Sequence, residues 1–310
     1  MYDTVIIGAG PAGMAAAIYA MRAGLNLALI EKNPVSGGQV LNTWEVDNYP
    51  GLPGINGFDL GMKFKEHVDR LAAPCIDDEV TGIAREETAD AAVYRIRLAE
   101  GGELVSRTVI LAAGASHARL GVPGEEALTG KGVSYCATCD GNFFRGREAA
   151  VIGGGDVAVE DAIYLSRICS RVTLIHRRDA LRATKVLQEE LFGISNITVR
   201  WNTVVKEIQG TDRVTGLTLE DTVTGARETL AVDAAFVAVG ILPDTGLAAG
   251  LVETDAGGYI PAGEDGATAL PGFFVAGDAR KKRLRQIVTA VADGANAATA
   301  VQDYLMRLKK

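Results

Sequence analysis

The sequence lacks any apolar run long enough to cross a membrane. The longest such run, from Ala12 to Met21, ends at Arg22, whereas a bilayer-spanning helix needs about 20 apolar residues. The amino-terminal segment MYDTVIIGAGPAG has no basic leader and no small-residue cleavage site, so it does not resemble a secretion signal. We therefore expect neither a membrane protein nor an exported one.

Cysteine is also scarce. Four cysteines in 310 residues do not make the disulfide framework of a small secreted protein. This scarcity fits a reducing compartment, and we expect the protein to be cytoplasmic. A cysteine pair that forms a disulfide in such a compartment usually has a redox role.

Positive charge is in the minority, since 31 basic against 39 acidic side chains give a formal net charge of −8. This balance argues against a protein that coats nucleic acid or an anionic membrane, and it favours small ligands or protein partners. A content of 48% hydrophobic and 23% charged residues excludes intrinsic disorder. The length favours two domains, and 37 glycines predict many tight turns.

Two copies of one unit are present in the chain. Residues 7–30 align with residues 152–175 without a gap at a constant offset of 145, and nine of the 24 positions are identical. Each copy runs from an apolar strand through a glycine loop into an alanine-rich helix and on to a second strand. The sequence therefore predicts two βαβ units.

Both loops have the glycine spacing of dinucleotide-binding units. The small residues are Gly8, Gly10 and Gly13 in the first copy and Gly153, Gly155 and Ala158 in the second. A residue without a β-carbon lets the backbone approach a pyrophosphate, which the amino terminus of the following helix binds through free N–H groups. A glycine turn that binds nothing is the alternative, and the second copy with the same flanks weakens it.

The residue 23 positions after the first glycine distinguishes the two nucleotides. It is Glu31 in the first copy, where a carboxylate accepts hydrogen bonds from a ribose diol. It is His176 in the second copy, followed by Arg177, Arg178 and Arg182. Guanidinium groups match a 2′-phosphate, so the second copy is predicted to bind NADPH; a solvated basic loop is the alternative. We assign His176 no role in proton transfer.

Three further segments favour FAD as the ligand of the first copy. The apolar strands at 109–115 and 235–244 contain glycine near their ends and suit two crossings between domains. A third strand, FFVAGDAR, ends in Gly277 and Asp278, where an acid suits a ribityl hydroxyl of a flavin. A Gly-Asp pair alone is most often a turn, so the assignment depends on the first glycine loop as well.

Cys136 and Cys139 are separated by two residues and followed by Asp140. Thiols at this spacing form redox disulfides, and an adjacent acid can move the proton that thiol exchange requires. Zinc is the alternative, but the remaining candidate ligands show no second paired spacing, and we expect no metal. Those candidates are Cys75, Cys169, His67, His117 and His176. We expect Cys75 and Cys169, which lie among apolar residues, to be inert core thiols.

Seven motifs in order resemble those of the bacterial-type, low-molecular-weight thioredoxin reductases, which are pyridine nucleotide-disulfide oxidoreductases. They are GAGPAG, GGQV, EVDNYPG, CATCDG, GGGDVAVE, HRRDALRA and GDARKKRLRQIVTAVADGANAA. The resemblance implies an α/β fold with two Rossmann-like three-layer domains. It implies an NADPH domain at 116–244 inserted into an FAD domain made of 1–115 and 245–310, and it implies a homodimer.

The resemblance also implies roles for individual residues. It assigns FAD to Gly8, Gly10, Pro11, Ala12, Gly13, Glu31, Gly38, Gln39, Asn48, Gly277, Asp278, Arg285, Gln286 and Ile287. It assigns NADPH to Gly153, Gly155, Asp156, Val157, Ala158, His176, Arg177, Arg178, Arg182 and Gly240. It implies that Cys139 faces the flavin, that Cys136 attacks the partner and that Asp140 acts as acid and base. Two departures from the family pattern are Ala113 and Val157, each of which replaces a hydroxyl side chain.

The implied reaction is that of a thioredoxin-disulfide reductase. Hydride passes from NADPH to FAD, two electrons pass to the disulfide, and the dithiol reduces thioredoxin or a similar small disulfide protein. The cysteines and the NADPH loop share the inserted domain, and both need the flavin. We therefore predict rotation of that domain about hinges near 114–120 and 239–245.

Three alternatives stay open. A ferredoxin-linked flavoprotein reductase has no need of the arginine cluster. A flavoprotein that serves a peroxidase would carry an additional amino-terminal redox domain. A dinucleotide-binding redox sensor would have no useful turnover.

One short run of the sequence is more basic than its surroundings. It consists of Arg280, Lys281, Lys282, Arg283 and Arg285. A solvated face and a docking site for an acidic partner are the two interpretations. We favour the solvated face, except for Arg285, which aligns with a family position beside the flavin.

Overall fold

A computed structural model describes residues 1–43, 46, 48–87 and 92–308 of the chain. The strands are β1 (Tyr2–Ile7), β2 (Leu27–Glu31), β3 (Cys75–Asp77), β4 (Val80–Glu87), β5 (Ala92–Leu98), β6 (Glu103–Leu111), β7 (Ala115–His117), β8 (Val133–Ser134), β9 (Glu148–Gly153), β10 (Arg171–Ile175), β11 (Ile197–Arg200), β12 (Thr203–Gly210), β13 (Val214–Asp221), β14 (Arg227–Leu230), β15 (Ala234–Ala238), β16 (Ile241–Pro243) and β17 (Phe273–Val275).

The α-helices are α1 (Pro11–Arg22), α2 (Gly57–Arg70), α3 (Ala137–Asp140), α4 (Asp156–Ser166), α5 (Lys185–Phe192) and α6 (Ile287–Leu308). Short 3₁₀ helices span Gly38–Asn42, Gly141–Phe144, Gly246–Ala248 and Gly277–Ala279. Across the described ranges, no helix combines the length and the apolar character that a membrane crossing requires.

The chain divides into two compact units. The first contains Met1–Ser116 and Leu242–Lys310, and the second contains His117–Ile241. The second unit is therefore an insertion between two segments of the first. Strands β7 and β16 contain the two points at which the chain passes from one unit to the other.

The first unit is built on a sheet in the order β3-β2-β1-β6-β5-β4, with β17 also paired to β6. Ile7 at the end of β1 pairs with Ile30 and Leu111, so the parallel strands end together at one edge. Helices α1 and α6 pack on one face through a core that includes Met14 and Val301. The 3₁₀ helix at Gly246–Ala248 and the segment around Ile260 pack on the other face.

The second unit is built on a parallel sheet in the order β11-β10-β9-β15-β8. Helices α4 and α5 bury apolar residues such as Val159 and Leu191 against one face. The antiparallel sheet β12-β13-β14 buries Ile208 and Leu217 against the other. Both units therefore have three layers of the α/β type that the sequence predicts.

The internal repeat of the sequence is a repeat of structure. Strand β1, helix α1 and strand β2 form one βαβ motif in the first unit, and β9, α4 and β10 form the equivalent motif in the second. Helix α1 begins at Pro11 and helix α4 at Asp156, which is the offset of the sequence repeat. Each helix begins directly after the second glycine of its loop, Gly10 or Gly155.

The two single cysteines differ in environment. Cys169 is buried, and burial raises the pKa of its thiol to about 11, as expected for an inert core thiol. The prediction is wrong for Cys75, which is exposed. Cys75 begins β3, a strand of three residues at the edge of the first sheet, and an edge strand this short leaves its side chains open to solvent.

Asp161 on α4 makes the stability of the second unit depend on pH. Burial raises the pKa of its carboxyl group from 3.8 to about 7, and the charge of Glu160 adds to the rise. Between these pH values the folded chain holds a proton that the unfolded chain releases, so stability falls as pH rises toward 7. We expect Asp161→Asn to increase the free energy of unfolding at pH 8 by about 1 kcal/mol, after allowance for partial exposure.

Chemical denaturation followed by tryptophan fluorescence tests this expectation at pH 8 and pH 5.5. The increase in the free energy of unfolding of Asp161→Asn should be clearly smaller at pH 5.5 than at pH 8. The exposed Asp303 on α6 provides the control, since Asp303→Asn should change stability at neither pH. Equal gains for Asp161→Asn at both pH values would contradict the argument.

Candidate functional site

In the first glycine loop, the backbone at Gly8 lies in close contact with the backbone at Ala112 and Ala113. Gly8 has a φ of +101°, and a β-carbon there would lie 2.5 Å from the carbonyl oxygen of Ala112 and 3.2 Å from the Cα of Ala113. A β-carbon on Gly13 would overlap the carbonyl oxygen of Gly8. Helix α1 therefore begins tight against the end of β1, and no side chain caps it at Gly10. Its first N–H groups are available to an anion such as a pyrophosphate.

Glu31 at the end of β2 is tied to this loop. It is 9% exposed, and its carboxylate accepts hydrogen bonds from Ala9 N at 2.7 Å and from the backbone and side-chain nitrogens of Asn33 at 2.9 and 2.7 Å. Gly37 N donates to Ala9 O at 2.8 Å. Oε1 accepts both bonds from Asn33, whereas Oε2 accepts only the bond from Ala9 N among the described residues, so Oε2 keeps a lone pair for a ribose hydroxyl group beside the loop.

A second predicted FAD segment meets the same loop. Gly277 has a φ of +77°, and a β-carbon there would lie 2.8 Å from Ala12 Cβ in the first turn of α1. Gly38 also lies at the loop, since a β-carbon there would be 3.2 Å from Gly10 Cα. These approaches leave a cradle of backbone that added side chains would fill, as the tail of a bound dinucleotide requires.

The remaining predicted FAD residues have other partners in the first unit. Gln39 donates to Ala115 O, and Asn48 Nδ2 donates to Gln286 Oε1 at 2.9 Å. The guanidinium carbon of Arg285 lies 3.9 Å from the centre of the Tyr259 ring, and its Nε is buried without a hydrogen-bond partner among the described residues. Ile287 begins α6. Glu45 and Asp47 of the EVDNYPG motif lie outside the described residues.

In the second loop, His176 packs where a side chain on Gly154 would be. A β-carbon on Gly154 would overlap the imidazole ring. The ring is 5% exposed, and its Nε2 lies 3.1 Å from Ala180 O. Burial lowers the pKa of His176, so the ring is held in its neutral form. The sequence alone does not reveal this role of Gly154, because spacing does not show that the His176 ring packs against the loop.

Two hydrogen bonds fix the arginine segment to the second loop. Arg182 N donates to Gly154 O at 2.7 Å, and Thr184 N donates to the side chain of Asp156 at 2.7 Å. Arg177, Arg178 and Arg182 are exposed. Within the described part of the chain, their guanidinium groups form no ion pair with a carboxylate. Their charge is therefore free to bind a phosphate.

The other predicted NADPH residues lie around the same loop. Helix α4 begins at Asp156 with no side-chain cap at Gly155, so its first N–H groups are open as in α1. Val157 in its first turn is 54% exposed and supplies no hydroxyl group to a phosphate. Ala158 is fully buried, which lets α4 pack against β9. Gly240 has a φ of +139°, and its carbonyl accepts a hydrogen bond from Ala118 N at 2.9 Å.

Cys136 and Cys139 form a disulfide with a Cα–Cα distance of 5.3 Å. Cys136 occupies the N-cap position of α3, without a side-chain hydrogen bond to the helix, and Cys139 and Asp140 lie within the helix. Both cysteines are partly exposed. Gly141 packs the end of this helix against α4, since a β-carbon there would lie 2.9 Å from a side-chain carbon of Leu165. The disulfide is therefore held on the same unit as the arginine-flanked loop.

Ser134 connects the Asp140 carboxylate to the backbone of Cys136, a role that the sequence alone does not reveal. Its hydroxyl donates to Asp140 Oδ2 at 2.6 Å and accepts from Cys136 N at 3.1 Å. Ser134 is 5% exposed and ends β8, which pairs with β15 in the sheet. The Asp140 carboxylate is thereby oriented on the helix that carries Cys139.

The interpretation of the basic run as one solvated face is wrong for two of its residues. The side chains of Arg280 and Lys282 are 13% and 6% exposed, and both form ion pairs with Asp293 on α6. Lys281 between them is exposed and lies 3.5 Å from Asp255. The segment is extended rather than helical, so alternate side chains point to opposite sides.

Comparison with known proteins places the chain in a family. It matches the family model for pyridine nucleotide-disulphide oxidoreductases over residues 2–294. It is 45% identical over 311 aligned positions to a thioredoxin reductase of Bacillus subtilis, covering 100% of this chain and 96% of that protein. It is 42% identical to a thioredoxin reductase of Treponema pallidum, covering 99% of this chain and 98% of the other.

Solved structures agree. The thioredoxin reductase of Streptococcus pyogenes matches with a TM-score of 0.87 at 45% identity, over 99% of each chain. That of Lactococcus lactis, described as the FR conformation, matches with a TM-score of 0.72 at 41% identity, over 99% of this chain and 100% of the other.

The chain belongs to the pyridine nucleotide-disulphide oxidoreductase family. The predicted resemblance to the thioredoxin reductases, the fold class and the oxidoreductase class are confirmed by these matches. FAD and NADPH are the cofactors of the thioredoxin reductases of this family. The two open helix termini, the glycine cradle and the unpaired arginines fit both cofactors.

Ser134→Ala tests the contact between Ser134 and Asp140. Loss of the donated hydrogen bond removes one contact that orients the carboxylate. We expect disulfide reduction to slow by roughly tenfold. Stopped-flow measurement of flavin reduction by NADPH should give the wild-type rate. The exposed Ser170→Ala is the matched control, and a wild-type rate of disulfide reduction for Ser134→Ala would refute the role of Ser134.

Proposed function

We propose that this chain reduces the disulfide of thioredoxin, or of a similar small protein, with electrons from NADPH. The observation that carries the proposal is the Cys136–Cys139 disulfide, followed by an oriented Asp140, on the unit whose glycine loop is flanked by free arginines. When bound, FAD supplies two-electron transfer between the nicotinamide and the disulfide.

In this proposal each unit holds one nucleotide. The first unit binds FAD through its glycine cradle, Glu31 and the turn at Gly277 and Asp278, and the domains run 1–115 with 245–310 for FAD and 116–244 for NADPH. The contacts of Glu31 with the loop and the approach of Gly277 to Ala12 support it. The second unit binds NADPH, with the loop N–H groups on the pyrophosphate and the arginines on the 2′-phosphate.

The thiols act in sequence. Once the disulfide is reduced, the Cys136 thiolate attacks the partner disulfide, forms a mixed disulfide and releases one partner sulfur, which takes up a proton. The Cys139 thiolate then attacks the Cys136 sulfur, restores the Cys136–Cys139 bond and releases the second partner thiol. Asp140 gives and receives the protons of these steps, and the hydrogen bond from Ser134 Oγ orients it for this role.

Turnover in this proposal requires rotation of the inserted unit, because its disulfide and its nicotinamide site serve the same flavin. The hinges lie near 114–120 and 239–245. In the first of these segments, Leu120 N donates to the buried carboxylate of Glu125 at 2.9 Å, and Gly121 N, just beyond it, does so at 2.8 Å. These contacts favour the amino-terminal part of the segment, around Gly114, as the place where the backbone turns.

We also propose that the protein is a homodimer in the cytoplasm, with no nucleic acid or membrane as partner. The dimer follows from the resemblance to the family, and the compartment follows from the scarcity of cysteine. The charge balance of −8 supports a protein partner rather than a nucleic acid. The arginine segment favours NADPH as electron donor over ferredoxin, because only NADPH brings a 2′-phosphate.

Cys139→Ser separates the two halves of the relay. The variant should keep flavin reduction by NADPH, since the second glycine loop is untouched, and should lose thioredoxin turnover by at least about 100-fold. Absorbance of the flavin under anaerobic conditions and an insulin-coupled thioredoxin assay measure the two halves. Cys75→Ser, which replaces an exposed thiol, is the control and should behave as wild type. Thioredoxin turnover by Cys139→Ser would rule out the assigned relay.

Replacing Arg177 and Arg178 together by alanine tests the nucleotide assignment. Loss of two guanidinium groups should raise KM for NADPH by about 10-fold or more, because charge-assisted bonds to the 2′-phosphate are lost. KM for NADH should change little. Steady-state kinetics with both nucleotides measures this, with Arg213→Ala on a turn of the same unit as control. An equal loss for NADH and NADPH would remove the 2′-phosphate argument.

A further inference from the structure

A buried group of charged side chains lies beside the Gly277–Asp278 turn. Asp293 on α6 accepts hydrogen bonds from Gly277 N at 3.1 Å, from Arg280 Nη2 at 2.7 Å and from Lys282 Nζ at 3.0 Å. The side chains of Asp293, Arg280 and Lys282 are 7%, 13% and 6% exposed. With Asp278, the group contains two cations and two anions, so its charge is balanced.

The ammonium group of Lys282 lies between two carboxylates. It donates a hydrogen bond to Asp293 Oδ2 at 3.0 Å. It lies 3.2 Å from Asp278 Oδ1, close enough for an ion pair but not aligned for a hydrogen bond, because that buried oxygen has no hydrogen-bond partner among the described residues. Lys282 therefore compensates the charge of Asp278 without a hydrogen bond to Oδ1. Asp278 Oδ1 remains an open acceptor.

This open acceptor lies where the two FAD-binding segments of the first unit meet. A β-carbon on Gly277 would lie 2.8 Å from Ala12 Cβ, and a β-carbon on Gly294 would overlap the carbonyl oxygen of Ala12. Helix α6 thus packs against the first turn of α1 and carries Asp293, the residue before Gly294, to the turn that contains Asp278. The position of the acceptor is set by residues far apart in sequence.

We propose that Asp293 is a positioning residue for FAD: by binding Lys282, it keeps the Asp278 carboxylate free to accept a hydrogen bond from a hydroxyl group of the FAD tail. This rests on the proposed assignment of Asp278 to FAD. A buried ammonium group needs a carboxylate or other acceptor close by. Without the charge of Asp293, Asp278 becomes the nearest carboxylate to Lys282, and the ammonium group takes the lone pair that the ligand hydroxyl would use.

Asp293→Asn in the full-length holoenzyme tests the inference. The amide oxygen can still accept from Gly277 N, so the turn is retained while the charge that binds Lys282 is lost. We expect FAD to bind about tenfold more weakly, equivalent to one lost hydrogen bond to a charged group. The measurement is the fluorescence of FAD released when the holoenzyme is diluted, which does not depend on turnover.

The rescue variant K282M/D293N separates positioning from a general effect on the fold. Removal of the ammonium group leaves Asp278 Oδ1 without a competing donor, so FAD affinity should return to within about threefold of wild type. A merely structural role of Asp293 predicts the opposite, since the double variant loses all three ion pairs of the group. If D293N alone fails to fold, the FAD affinity of K282M/D293N still decides whether Asp293 positions Asp278. The exposed D303N on the same helix is the control and should bind FAD as wild type does.

D278N distinguishes failure of this inference from failure of the proposed function. If D278N binds FAD as tightly as wild type, the assignment of Asp278 is wrong, and the inference falls with it. If D278N weakens FAD binding while D293N does not, the assignment of Asp278 stands and the positioning role of Asp293 is wrong. Weak FAD binding by K282M/D293N would also overturn the positioning role of Asp293. Weak binding by D278N and D293N together with rescue by K282M/D293N supports it.

Discussion

Both units depend on one constraint, the absence of a side chain where a helix begins against the end of a strand. In the first unit, a β-carbon on Gly13 would overlap the carbonyl oxygen of Gly8. In the second, a β-carbon on Gly153 would lie 2.6 Å from the β-carbon of Ala158. Because each loop packs this tightly, each helix directs its free N–H groups at the edge where the parallel strands end. The proposed nucleotide sites are centred on these two helix termini.

The two copies of the motif carry different residues at the end of the second strand, and the proposed assignment of FAD to one copy and NADPH to the other is based on this difference. Glu31 is held by backbone donors and offers a carboxylate to a ribose. His176 is neutral and buried and serves as packing for the loop, and the exposed guanidinium groups of Arg177 and Arg178 follow it. The chain thus repeats one scaffold with two different sets of side chains, and it carries the disulfide on the unit with the arginines.

The sequence predicts the parts of the molecule that are local. Each copy of the repeat spans 24 residues, and the glycine loops and the cysteine pair are shorter still, so the sequence pattern alone reveals them. It does not reveal which side chains the fold turns toward each other, even when they are near in sequence. Nothing in the spacing shows that the Ser134 hydroxyl meets the Asp140 carboxylate, or that Lys282 binds Asp293 on α6. The same limit explains why Cys75, at a sheet edge, differs from the prediction.

Labelling of the paired cysteines tests the central claim most directly. The purified holoenzyme is treated with a thiol-alkylating reagent before and after anaerobic addition of NADPH, and the modified peptides are identified by mass spectrometry. The account predicts that Cys136 and Cys139 are protected as a disulfide at first and that both are alkylated once NADPH is present. A disulfide that persists in excess NADPH, with the flavin reduced, would contradict it.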